Sequence, residues 1–253
     1  MKGTQFSLIF GYYMKRMIRG WFGLFIFVVL PVVIASLISF IYSQNMGEEI
    51  YVNGFNMVST RISIYMMLLF QLNGGIYLLD FLNHDLVKPM RWRLKVSPCQ
   101  PHVFMYAGTI ACTVFTAVQG LMIIAASALF LDAYWGNLWV ALLAVIFISV
   151  ISQMFNILLL ILTRSIGSAE SLSWLITSIM AMFGGTLFTL PDNAFFRFMK
   201  EFGTPFSLAQ SAILGSGFLK STKTGVWFYL TALLAIVVLL CAVAVPLGRR
   251  KLL

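Results

Sequence analysis

Few side chains in this 253-residue sequence could carry out chemistry, and their types narrow its function. The two histidines, His84 and His102, flank one short basic loop in which Asp85 is the single acid. That set lacks the His-Glu-x-x-His spacing that puts two imidazoles on one helix face beside a general base. Nor does any serine sit in a nucleophile elbow. Cys99, Cys112 and Cys241 are odd in number and scattered, so they read as apolar filler and not as a disulfide framework or metal site. The run from Gly215 to Lys220 has the outline of a phosphate loop, but Leu219 stands where the pattern requires glycine before the lysine. The chain is therefore expected to be no enzyme and to hold no metal or cofactor of its own.

What remains is a set of neutral polar and small residues inside apolar stretches. Gln71, Asn73, Gln119, Gln153 and Asn156 lie in such stretches, and Gly184 and Gly185 lie near the end of another. Two roles suit the amides: hydrogen bonds between membrane helices, or the lining of a substrate path. Gln71, Asn73, Gln153, Asn156, Gly184 and Gly185 are the candidates for a path. Carriers coupled to ions or protons need ionisable groups at membrane depth. Here Asp80 falls at the end of one stretch and Glu170 just before another, so any energy for transport must come from a separate subunit.

The elements that hold these residues are long apolar segments. With 60% hydrophobic and 10% charged residues, the composition departs from that of soluble domains toward that of polytopic helical membrane proteins. A helix needs about 20 apolar residues to cross a hydrocarbon core of roughly 30 Å. Six stretches qualify: 21–42, 62–82, 103–131, 138–162, 172–190 and 226–247. Continuous runs of this kind make helices, whereas a barrel shows short alternating strands. If the N-terminus lies inside, only Arg61, Arg197, Lys200, Lys220 and Lys223 of the 17 Lys and Arg fall outside, which leaves twelve inside. This asymmetry predicts six spans with both termini cytoplasmic. The net charge of +9 is thus a topology signal, and its scatter over separated loops excludes nucleic-acid binding. The first apolar run is too long for the core of a cleavable signal.

Three further segments complete a single transmembrane domain over residues 1–253. In 1–20, Phe6, Phe10, Tyr13 and Met17 recur at helical spacing beside Lys15, Arg16 and Arg19, as in a helix lying in the inner membrane interface. A slight extension of the first span is the alternative. The inner loop 83–102 contains Lys88, Arg91, Trp92, Arg93 and Leu94. It suits either a short helix that docks a partner or a solvated topogenic loop, and Pro98 and Pro101 stop it before the third span. In 189–225, which follows Gly184-Gly185 and Pro191, Phe195, Phe198, Met199 and Phe202 line one face and Arg197, Lys200 and Glu201 another. A fifth span that breaks near the outer surface and continues as a re-entrant or amphipathic helix fits this pattern; glycine packing against a neighbouring helix is the alternative.

This layout resembles the permease subunits of type-2 ATP-binding-cassette exporters over essentially the whole chain. In the inner loop Asp85, Lys88, Arg93, Leu94, Ser97 and Pro98 fall at matching places, with Pro89 in place of the family's glycine and Val87 in place of an acidic residue. At the end of span five, Gly184, Gly185, Phe188, Pro191, Phe195, Phe196 and Pro205 follow the family's order. The resemblance implies two permease subunits, identical or paralogous, around a path, with a pair of cytosolic ATPase subunits that bind ATP and Mg. Lys88, Arg91, Trp92, Arg93 and Leu94 would then form the ATPase contact. It further implies a multi-pass protein of a bacterial plasma membrane, bounded by lipid. The exported cargo would be an antimicrobial peptide, a hydrophobic drug or toxin, or a lipid-linked glycan. An intramembrane lipid-modifying enzyme and a non-transporting immunity protein are the rival readings.

Overall fold

The computed structural model describes residues 2–46, 51–52, 55–82, 101–163, 165–188, 190–217 and 225–251. The inner loop with Lys88, Arg91, Trp92, Arg93 and Leu94 lies outside the described residues. The described chain is a helical bundle. Helix α1 (Lys2–Arg19) turns at Gly20 into α2 (Trp21–Met46). A two-stranded hairpin, β1 (Tyr51–Val52) with β2 (Phe55–Asn56), precedes α3 (Met57–Asn73) and α4 (Gly75–Leu82). Then come α5 (Pro101–Phe130), α6 (Leu138–Thr163) and α7 (Ile166–Phe183). A short α8 (Ala194–Phe198), a π-helical turn (Met199–Gly203) and α9 (Pro205–Gly217) lead to α10 (Val226–Lys251).

Five helical segments are long and apolar enough to cross a membrane: Met57–Leu82, Met105–Phe130, Leu138–Thr163, Ile166–Phe183 and Val226–Ala244. The protein is therefore a multi-pass α-helical membrane protein. Helix α2 runs 26 residues without interruption and carries Pro31 inside it. The second apolar stretch, expected to be one span, lies within the single candidate span Met57–Leu82, whose helical hydrogen bonding is interrupted locally at Gly74 between α3 and α4. Helix α7, with 18 residues and about 27 Å at 1.5 Å per residue, is the shortest of these five. The segment that follows it does not leave the bundle. Pro205 occupies the first helical position of α9, and Thr204 caps that helix by accepting from Ser207 N–H at 3.0 Å. Ser207 Oγ also donates to Met199 O at 2.8 Å, which ties α9 back to the π-helical turn.

Helix α1 packs along the start of α5. Its buried stripe is Ile9, Tyr13 and Met17, four residues apart, with Phe6 and Phe10 half-buried beside them. The Tyr13 ring lies 5.5 Å from Phe81, and the Arg16 guanidinium sits 4.6 Å from the centre of the same ring. Lys15 and Arg19 are exposed.

Two apolar layers form the core. One joins α2, α3 and α9 with the far half of α5, the first half of α6 and the start of α10. The other joins α1, α4 and the near half of α5 with the last half of α6. At one end of the bundle lie α1 and the starts of α5 and α7; at the other lie the hairpin, the 131–137 turn and α8–α9.

Candidate functional site

A seam of neutral polar groups on α3, α5, α6 and α7 runs between the two apolar layers. Gln71, Asn73, Thr116, Ser149, Ser152, Gln153, Asn156, Ser173 and Thr177 are all buried. The break at Gly74 creates a need for partners, because two backbone groups there lose the helical ladder. Ser152 meets both needs: Gly75 N–H donates to its Oγ at 2.8 Å, and its hydroxyl donates to Leu72 O. A Cβ on Gly75 would come within 2.5 Å of Ser152 O, so only glycine allows α6 to approach so closely.

The amides stitch the helices around this break. Gln71 Nε2 donates to Thr116 O at 2.9 Å and also to Ser149 Oγ, linking α3 to α5 and α6. The Thr177 hydroxyl lies 3.0 Å from Asn73 Oδ1, linking α7 to α3. Gln153 Nε2 reaches Gly74 O at 3.5 Å, and Asn156 Nδ2 donates to Ser152 O at 2.9 Å. The amide oxygens of Gln71, Gln153 and Asn156 accept no hydrogen bond from the described residues. Such interhelical bonds are worth about 0.6 kcal/mol each on average in membranes. The seam can therefore hold the bundle in register without locking it.

Of the six path candidates, Gln71, Asn73, Gln153 and Asn156 come together in this seam, while Gly184 and Gly185 lie elsewhere, beside a cavity of about 430 Å³ at the end opposite α1. Gly185 adopts φ +64°, a left-handed conformation that turns the chain out of α7. Gln210 of α9 donates from Nε2 to Gly184 O at 3.3 Å and to Thr186 Oγ1 at 2.9 Å, pinning the turn. Arg61 from the first turns of α3, Arg197 from α8 and Lys200 from the π-helical turn line the cavity with Glu201 and Tyr229. The Tyr229 hydroxyl donates to Glu201 Oε1 at 2.7 Å. Arg197 also faces Asp192 at 3.6 Å, with both side chains mostly exposed, a contact of small energetic value.

Sequence reasoning singled out neither the serines of the seam nor Gln210. Ser149 and Ser152 lie three apart on the face of α6 that carries Gln153 and Asn156, and this clustering was the readable signal. Arg61 was legible only as a loop charge, since its place in the cavity wall depends on packing. No protein-family model matches the chain, and no curated protein matches it either.

Proposed function

We propose that this chain is the membrane-spanning subunit of an exporter driven by a separate cytosolic ATPase. The observation that carries the proposal is the end of α7. Helix α7 stops at Gly184-Gly185, and the chain continues as α8, a π-helical turn and α9, which packs Phe206, Leu208 and Ile213 back into the core. This order of small residues, Phe188, Pro191, a short amphipathic helix and Pro205 is the one that resembles the permease subunits of type-2 ATP-binding-cassette exporters.

In this reading α2 is the first of six crossings, and both termini lie in the cytoplasm of a bacterial plasma membrane. Two such subunits, identical or paralogous, surround the path. The ATPases close on ATP and push on the Lys88–Ser97 segment, with Trp92 and Leu94 as apolar anchors and Arg91 and Arg93 at the rim. The helices then tilt along the neutral seam, whose weak bonds are remade at small cost. The cargo class is a hydrophobic or amphipathic molecule: an antimicrobial peptide, a drug or toxin, or a lipid-linked glycan.

Copurification tests this directly. Replacing Trp92 and Leu94 with Asp releases the ATPase while leaving membrane insertion intact; unchanged copurification refutes the docking role. In a cysteine-free background, a cysteine at Asp192 reacts with an impermeant thiol reagent in intact cells and one at Arg164 does not. The reverse pattern overturns the orientation.

A further inference from the structure

Arg61, Arg197 and Lys200 are the Lys and Arg residues found among the described residues at the end of the bundle opposite α1, and all three line one cavity. Cations are sparse at this end by sequence, so their convergence from three separate elements calls for a local cause. Ion pairing supplies part of one: Asp192 faces Arg197, and Glu201, held by Tyr229, shares the cavity. Counting only side chains that line the cavity, three positive groups meet one carboxylate, which leaves an excess of two positive charges.

The surroundings fix the depth of this cavity. Phe188, Phe195, Phe198 and Trp227, each within three residues of a lining residue in sequence, are more than half exposed, as aromatic side chains are at the boundary between hydrocarbon and headgroups. The cavity volume of about 430 Å³ lies in the range of small-molecule sites and exceeds the needs of a bare ion. Thr186 and Ser211 add hydroxyls to its wall. Two guanidinium groups and an ammonium, with hydroxyl donors between them, form a recognition set for phosphate oxygens.

We infer that this cavity binds the phosphate group of a membrane amphiphile, with a preference for a dianionic phosphate such as a phosphomonoester headgroup. Arg61 and Lys200 supply the attraction, and Arg197 exchanges its exposed contact with Asp192 for the ligand. The apolar part of the ligand lies against Phe195 and Phe198. The inference needs no ATPase, because it concerns the purified chain alone, and it stands or falls separately from the transport reading.

The test measures binding of short-chain phosphatidic acid, short-chain phosphatidylcholine and inorganic phosphate to the full chain in neutral detergent. Phosphatidic acid is expected to bind about tenfold or more tighter than phosphatidylcholine, as charge-assisted contacts to phosphate require. Replacing both Arg61 and Lys200 with Gln is expected to bring the two lipids within about twofold, while Lys200→Arg keeps the preference. An unchanged melting temperature in the double variant separates lost recognition from lost folding. If the double variant melts early, Arg61→Gln and Lys200→Gln singly carry the test, each expected to reduce the preference. Competition by millimolar inorganic phosphate, together with the lipid preference, assigns recognition to the phosphate group itself. Equal binding of the two lipids by the native chain overturns the inference, as does a preference that survives charge removal. Binding of inorganic phosphate without any preference between the lipids overturns the amphiphile as its source.

Discussion

The seam and the cavity are two polar regions among the described residues, and they solve the same problem in opposite ways. In the seam the polar groups are neutral, buried and bonded across helices, with Gln71 reaching both α5 and α6. In the cavity they are charged and open, with Arg197 retaining most of its exposure. The difference follows from the cost of burying charge. A neutral amide at mid-bundle needs only a partner, whereas a charge there costs about 2.5–3.5 kcal/mol even with adjustment of the surroundings. Near the headgroups water and lipid phosphates remove that cost, and cations become usable for recognition.

Substitutions sharpen this contrast, and the largest effect should come from moving a charge into the seam. Gln71→Lys is expected to lower stability by about 3 kcal/mol, read as a loss of membrane-integrated, folded protein. A fall much below 1 kcal/mol would show that the seam is wetter than its burial suggests. Gly75→Ala is expected to cost about 2 kcal/mol in a detergent unfolding series, because the added methyl meets the Ser152 carbonyl at 2.5 Å and neither backbone yields easily. Gly185→Ala should cost about 1 kcal/mol, and for a different reason. Its new methyl would meet only the side-chain ends of Leu190 and Lys200 at 3.3 Å, so the penalty is the left-handed backbone itself. Ser152→Ala removes the hydroxyl that serves both sides of the α3–α4 break and is expected to cost about 1 kcal/mol, near the middle of the measured range for membrane hydrogen bonds. Lys200→Gln should change stability by less than about 0.5 kcal/mol in the same assay, as an exposed charge does. A large effect there would make Lys200 a structural residue and not a binding one.

Much of the helical plan was readable from the residues. The apolar runs at 103–131, 138–162 and 226–247 coincide closely with α5, α6 and α10, because side-chain transfer and backbone hydrogen bonding both favour helix at those positions. The end of α7 at Gly184 and the presence of a short helix after Pro191 were legible too, since glycine and proline act locally. The amphipathic reading of residues 1–20 foresaw a helix, but the buried stripe includes Ile9 as well as Tyr13 and Met17. Which stripe is buried depends on where α5 lies, and local periodicity carries no information about that.

Residues 62–82 do fall within one span, but the local interruption at Gly74 was not readable, for a similar reason. Gly74-Gly75 sits inside an apolar run whose composition favours one continuous helix, and only the approach of Ser152 and Asn156 from α6 makes the interruption tolerable. The five inner-loop residues Lys88, Arg91, Trp92, Arg93 and Leu94 rest on sequence alone.

Sequence by itself determined that this chain lives in a membrane, roughly which stretches are helical, and that its mid-membrane polar groups are neutral. These are properties of residue type and short spacing, set by the free energy of moving each side chain out of water. Tertiary structure alone decided that four of those amides share a seam, that Ser152 closes a break, and that Arg61 and Lys200, more than a hundred residues apart, line one cavity. Such meetings depend on how helices cross, and crossing is settled by packing between distant segments.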